Sequence, residues 1–432
     1  MMSPNASGLL ASLLALSCAG CTISRTFFAT TDCDYKRVRL MRWASDSRCE
    51  HSTIRVLLVH GMNNHPFGFS GGKPNLYGCA TYADLQQTLS GPLDLKQKEK
   101  LCVLATKAQF DTLIEALAKQ LGVGPEDKPH DSFEIIPGDD GRAAGYIFTR
   151  SFLPTSKCGT LKFYVANWAL SACVEKERQF GGWNNSTQGL KEGEDHDFDP
   201  ALEAERAPLN KILKRQTIDW GLGDASLYLS DKGEKFRAVV NEALRRIRSE
   251  TNRDDRIAIV SASLGSTIAL DCISTLFRAG KAKTLFTTVD ERAENSLQAR
   301  AVFYMFANQF ALLSIGRPRD EEVNPLKKLD RELGESKSKA IVQVYAFSDP
   351  NDLLSLPLNT RLTNISICNV YVRNPGLTLG IAMNPGDAHV NYEKNSHVIA
   401  TLLNGPEKDP IRPSDCQQAE RGVRVPGGTG FR

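Results

Sequence analysis

The sequence has no surplus of either charge: 53 Lys and Arg stand against 50 Asp and Glu, a formal net charge of +3. A protein that neutralises a phosphate backbone needs a basic stripe or arm, so no nucleic-acid partner is expected. Long apolar runs are missing as well. The concentrated run Leu9–Ser17 (LLASLLALS) falls far short of the about 20 residues that cross a bilayer. Beyond residue 21 there is no Cys-x-x-Cys pair, and His-Glu-x-x-His occurs nowhere, so zinc and dithiol chemistry lack their ligand patterns and neither a metal nor an organic cofactor is expected. Internal repeats are absent. With 41% hydrophobic and 24% charged residues the composition is that of a folded globular protein. The 432 residues suffice for a large core, either in two to three domains or in one elaborated α/β domain.

The short apolar run has a meaning of its own. Followed by Ala19-Gly20-Cys21, it reads as the apolar centre of a signal peptide spanning residues 1–21. Its end resembles a bacterial lipobox, in which the chain is cut before a cysteine that is then acylated. The resemblance implies lipidation at Cys21, with Cys18 as the competing site. Thr22 after the cysteine implies sorting to the outer membrane, with the protein facing the periplasm and held to the membrane by its N-terminal lipid. Cysteine usage agrees with export. Of eleven cysteines, nine lie beyond the signal, and in an oxidising compartment some should pair while at least one stays free. Proximity suggests Cys33–Cys49, Cys79–Cys102 and Cys368–Cys416.

Apolar β-rich runs recur at Ile54–Val59, Leu161–Ala166, Ile257–Val260, Ala301–Phe306 and Ala340–Phe347. They read as strands buried on both faces. Helical spacing links Phe110 to Leu121, Phe236 to Ile247 (after the capping candidate Ser230) and Leu264 to Phe277. Strands alternating with helices predict an α/β fold with a mostly parallel central sheet covered by helices on both faces. A segment 22–54 precedes a domain over 55–404, with polar insertions at about 66–160 and 175–230 and a Pro/Gly-rich tail over 405–432. The acidic stretch Glu192–Asp199 lacks the ligand order of a calcium loop and reads as a solvated loop.

Two places match the pattern of a nucleophilic serine on a strand-to-helix turn. The literal Gly-x-Ser-x-Gly is Gly68–Gly72, around Ser70; the relaxed form is Ser261–Gly265, around Ser263. Such a turn works only between a buried strand and a helix. Ser70 has neither, and Lys73-Pro74-Asn75 after it does not start a helix cleanly. Ser263 follows Ile257–Val260, precedes the helix from Leu264 and has small neighbours in Ser261 and Gly265. It is the candidate nucleophile, and Ser70 belongs to a glycine loop.

A serine hydroxyl needs a base, an orienting acid and donors for the developing oxyanion. Val56–Gly61 (VLLVHG) is a strand ending in His-Gly, after which the Met62 amide can point at an oxyanion. The Leu264 amide, at the positive end of its helix, is the second donor. His60 braces this loop. After the strand Ala340–Phe347 comes Ser348-Asp349-Pro350-Asn351-Asp352-Leu353-Leu354, where Asp352 suits the acid and Asp349 a turn. Two histidines follow downstream, His389 and His397. His389 lies in a loop before a helix running to Leu403, and His397 falls inside that helix, so His389 is the base.

The order Ser263, Asp352, His389, together with Val59-His60-Gly61, Val165–Trp168, Ala307–Phe310 and Ala388-His389-x-x-Tyr392, resembles the α/β-hydrolase superfamily over roughly Arg55 to Gly405. More narrowly it is similar to a group of exported bacterial serine hydrolases. The departures are Ser261 for the first Gly and a long gap between His60 and Ser263. The resemblance implies an α/β-hydrolase fold with a large insertion before the nucleophile turn. It also implies hydrolysis of carboxylic esters, in small molecules or lipids, through an acyl-enzyme on Ser263. Thioester or amide hydrolysis on the same residues, or a non-catalytic binding scaffold, are the rival readings.

Overall fold

A computed structural model of the protein describes residues 27–28, 40, 43, 52–62, 110–124, 126–138, 143–152, 159–170, 172, 207, 222–252, 254–278, 301–313, 324–335, 342–358, 362–374 and 385–406. The signal segment with Cys18 and Cys21, the Ser70 loop, the acidic stretch Glu192–Asp199 and most of the tail lie outside these residues.

The described elements run in the order β1 (Phe27–Phe28), β2 (Ile54–Val59), α1 (Asp111–Gln120), β3 (His130–Pro137), β4 (Ala143–Phe152), β5 (Leu161–Asn167), α2 (Gly223–Leu229), α3 (Gly233–Glu250), β6 (Arg256–Ala262), α4 (Leu264–Arg278), β7 (Ala301–Phe306), α5 (Phe310–Leu313), α6 (Pro325–Glu335), β8 (Val342–Ser348), β9 (Ile365–Tyr371), α7 (Pro385–Val390), a 3-10 turn (Tyr392–Lys394) and α8 (Ser396–Asn404). The strands form one sheet in the order β1-β9-β8-β7-β6-β2-β5-β4-β3. From β9 across to β5 every pairing is parallel, and antiparallel strands close both edges. The protein is therefore α/β with a mostly parallel sheet.

Alternation along the strands explains why both faces are covered. Val56 and Leu58 of β2 point into one core with Leu113, Leu117, Val398 and Leu402 from α1 and α8. Leu57 and Val59 point into the other, against Val239, Leu244, Ile268 and Leu329 from α3, α4 and α6. Burying one such side chain contributes about 1.5–3 kcal/mol, which is why these runs settle in mid-sheet. At the N-terminal end of β2 the buried Arg55 guanidinium bonds the Asp255 carboxylate (3.0 Å), the Tyr164 hydroxyl (2.7 Å) and the Glu250 carbonyl (2.6 Å). Asp255 in turn accepts the Thr53 and Asn252 amides. This network ties β2, β5, β6 and the end of α3 together.

The strand order places the site. From β2 the chain goes to the far edge at β3, returns through β4 to β5 beside β2, and then crosses to β6 on the other side and onward to β9. The connections after β2 and after β6 therefore leave in opposite directions, and a crevice opens at the C-terminal ends of the two strands.

Several expectations need correction. Within the stretch 66–160, α1 falls on the expected Phe110–Leu121 spacing, but the hairpin β3–β4 has no counterpart among the expected strands and extends the sheet beyond β5. The α3 helix opens at Gly233, and Ser230 instead closes α2, its hydroxyl bonding the Leu227 carbonyl and accepting the Lys232 amide. His389 sits in a short helix, α7, rather than in a loop. The cysteine expectations, by contrast, hold as far as the described residues reach: Cys272 stays free and buried and Cys368 is disulfide-bonded, while Cys33, Cys49, Cys79, Cys102 and Cys416 of the suggested pairs lie outside those residues.

Candidate active site

Ser263 stands between β6 and α4 with a φ of 53°. For a residue with a Cβ this left-handed backbone costs of the order of 1–3 kcal/mol, which the surroundings must offset. They do so by tight packing. The Ser263 amide donates to the Phe306 carbonyl at the end of β7 (2.7 Å), and its carbonyl accepts the Ser266 amide (3.0 Å). A Cβ on Gly61 would lie 2.6 Å from the Ser263 Cβ, and one on Gly265 would lie 2.2 Å from the His60 carbonyl oxygen. Only glycine fits at either place. Ser261, which departs from the usual glycine, is buried with its hydroxyl bonded to that of Ser266 (3.1 Å).

The imidazole of His389 bridges the Ser263 hydroxyl and the Asp352 carboxylate. Its Nε2 lies 3.1 Å from Ser263 Oγ, and its Nδ1 lies 2.9 Å and 3.0 Å from the two Asp352 oxygens. A carboxylate facing Nδ1 holds the ring proton there, which leaves Nε2 to accept from the serine hydroxyl. The Asp352 side chain is 1% exposed and that of His389 17%, so the pair is shielded while the ring edge stays reachable. The three sequence candidates thus come together in relay geometry. Asp349 takes the turn role: its Oδ1 accepts the Asn351 amide (2.8 Å) and its Oδ2 the Asn374 amide (2.5 Å). His397 lies in the first turn of α8 and takes no part in the relay.

The loop after β2 is braced by His60, which is fully buried and stacked on Trp168 at 4.3 Å. Its Nδ1–H donates to the Gly61 carbonyl (2.8 Å), and its Nε2 accepts the Trp168 amide (3.1 Å). The Trp168 indole N–H donates back to the His60 carbonyl (3.2 Å). Gly61 and Met62 then line a cavity of about 40 Å³ together with Ser263, His389, Phe306 and Glu393. Leu264 opens α4 with its side chain in the core, and its amide belongs to the first helical turn, whose N–H groups have no intrahelical acceptor. Among the described residues no group of three His, Cys, Asp or Glu could hold a metal ion, and no helix is long and apolar enough to cross a membrane.

Residues without a sequence-assigned role hold the loop that carries Asp352 and the short helix that carries His389. Asn308 exchanges two bonds with Leu356, donating from its side chain (3.2 Å) and accepting at its carbonyl (2.9 Å). The Asn374 side chain donates to the Ala388 carbonyl, one residue before His389 (2.6 Å). The Tyr392 hydroxyl contacts both Asp349 and Asp352. The signal available in sequence was an Asn just after a strand end, a place where a side-chain amide commonly caps a turn. No family model matches the chain, and no curated protein or solved structure resembles it significantly.

Proposed function

We propose that the protein is a serine hydrolase of the α/β-hydrolase type that cleaves carboxylic esters. The observation that carries this reading is His389, held between Ser263 Oγ at 3.1 Å and Asp352 at 2.9 Å, at the tip of a strained strand-to-helix turn. A surface serine has no reason to sit in a left-handed backbone against a half-buried imidazole, whereas an activated nucleophile does.

In this mechanism Ser263 Oγ attacks the ester carbonyl carbon while its proton passes to His389 Nε2. The amides of Met62 and Leu264 stabilise the tetrahedral oxyanion. Collapse breaks the bond to the alcohol, which leaves with the proton from His389. Water then attacks the acyl-enzyme by the same route and returns the free acid and serine. Asp352 keeps the ring in the required tautomer and stabilises the imidazolium. Gly61, Met62, Ser263 and His389 line this cavity beside the exposed Val390, so an ester carbonyl placed there meets the serine, the imidazole and the loop after β2 together. The proposal retains export and anchoring through Cys21 at the outer membrane, supported by the Leu9–Ser17 run and Ala19-Gly20-Cys21.

The test is labelling of purified protein with a fluorophosphonate, beside Ser263→Ala and Ser70→Ala. Label lost only in Ser263→Ala is the expected result. Label lost only in Ser70→Ala moves the nucleophile, and a folded wild type that takes no label removes the enzymatic reading in favour of a binding role.

A further inference from the structure

We propose that Tyr392 is a positioning residue for the relay, its hydroxyl fixing the direction of the Asp352 carboxylate and the share of negative charge that His389 faces. The inference rests on the hydrolase reading above, and its test is chosen to stand apart from that reading. Asp352 Oδ1 accepts the Leu354 amide (3.0 Å) and faces His389 Nδ1; Oδ2 faces the same Nδ1 and the Tyr392 hydroxyl (3.1 Å). With the Asp352 side chain 1% exposed, each of these donors carries weight that water would otherwise supply.

The direction of the phenol bond follows from counting donors. A phenol hydroxyl has one proton to give and lone pairs to accept with. The Asp349 backbone N–H donates to Tyr392 Oη at 2.6 Å and the Ser355 hydroxyl acts on the same oxygen in the sense of a donor, so the lone pairs are used there and the phenol hydrogen is left for Asp352. Burial, and then the Asp352 charge, pushes the phenol well above its ordinary value of 10.0. Tyr392 therefore remains a donor across the range in which an imidazole exchanges protons. The other charged groups around the pair are committed elsewhere. Asp349 is turned to the Asn351 and Asn374 amides, Lys394 reaches Asn391, and Glu393, which shares the cavity, accepts the Phe110 amide. The ring itself stacks on Phe306 at 6.1 Å, a contact that phenylalanine would keep.

Removing the hydroxyl concentrates the carboxylate charge on the bond to His389, so the imidazolium is favoured more. In Tyr392→Phe the pH at which the His389 imidazole loses its proton, read by NMR, should rise by about half a unit or more. The acid limb of ester turnover should rise with it, and kcat should fall while KM holds. Incorporating 3-fluorotyrosine at position 392 keeps ring and hydroxyl but makes a stronger donor, and should move the same titration downward. An unmoved titration in a folded Phe variant, or a shift of the same sign in both proteins, overturns the proposal. Because the fluorotyrosine protein keeps the packing, it decides the matter even if the Phe variant does not fold. A wild type inert to fluorophosphonate would sink the hydrolase reading alone, since the imidazole titration still reports on Tyr392.

Discussion

The carbonyl oxygen of His60 occupies the space that a side chain on Gly265 would need: a Cβ there would lie 2.2 Å from it, and 2.6 Å from the Val59 carbonyl oxygen. The first turn of α4 thus rests on the end of β2, and that contact sets where Gly61 and Met62 stand relative to Ser263. Gly265→Ala should destabilise by about 1–3 kcal/mol or more, because both obstructing atoms are backbone and cannot rotate away. It should also reduce ester turnover in the fraction that remains folded, by pushing the Met62 amide away from the serine. Urea denaturation read beside turnover checks this. A folded variant with full activity would mean the β2 loop has slack that the packing does not suggest.

Asp352 and Asp349 stand three positions apart and make opposite predictions. Asp352→Asn keeps the shape but offers the ring the wrong partner, so turnover should fall by up to about 10⁴-fold with little loss of stability. Asp349 accepts amides from Asn351 and Asn374 without touching the ring. Asp349→Ala orphans those buried donors and should cost about 1–3 kcal/mol, with a smaller loss of turnover per folded molecule. Steady-state kinetics and thermal melts on both variants separate the roles; a reversed pattern would reassign the acid.

The difference between what was legible in sequence and what was not follows burial. Strands β2, β5, β6, β7 and β8 announce themselves because both faces are buried and the runs are nearly continuous apolar segments. Strand β3 alternates exposed and half-buried positions at the sheet edge, so HDSFEIIP gives little apolar signal. Strand β9 (ISICNVY) is interrupted by polar residues, and Asn369 is held there by Leu358 through backbone bonds at both ends of its amide. The relay was legible because each member needs a particular element end. Its supports, Asn308, Asn374 and Tyr392, were not, since their roles depend on loops that meet only after folding. Among these, Tyr392 joins Asp349 and Asp352 from about forty residues away.

Glu250 offers a stability test away from the site. Burial would raise its carboxyl, but hydrogen bonds from Lys162 and Tyr164 and the charges of Lys162 and Arg55 outweigh that and hold it below the ordinary 4.5. A depressed folded value contributes stability that is present above the ordinary value and lost as pH falls through the folded one. Glu250→Gln should therefore lower the melting temperature at neutral pH, and the gap to wild type should close in acid below that value. Because the side chain is 37% exposed, the effect should also shrink in high salt. A gap that is constant with pH would show that packing, not charge, is what the substitution removes.

Glu393 should behave in the opposite sense. It follows Tyr392 directly, lines the cavity beside Ser263 and His389, and accepts the Phe110 amide at the head of α1 (2.8 Å). Burial raises its carboxyl above 4.5, and the Phe110 bond and Lys394 only partly offset this. A raised folded value means that the native state binds the proton more tightly than the unfolded chain. The group's contribution is then full in acid and is lost as pH rises from the ordinary value through the folded one. Glu393→Gln removes the charge yet keeps an oxygen for Phe110, so its stability should be flatter over that window and equal or exceed wild type near neutrality. Glu393→Ala leaves the Phe110 amide without its partner and should be weaker at every pH. Denaturant midpoints for the three proteins, taken from acid to neutral, separate charge from capping. If the wild-type and Gln curves run parallel throughout, the carboxyl is not strained by its burial, and its place beside Ser263 has no energetic consequence for the fold.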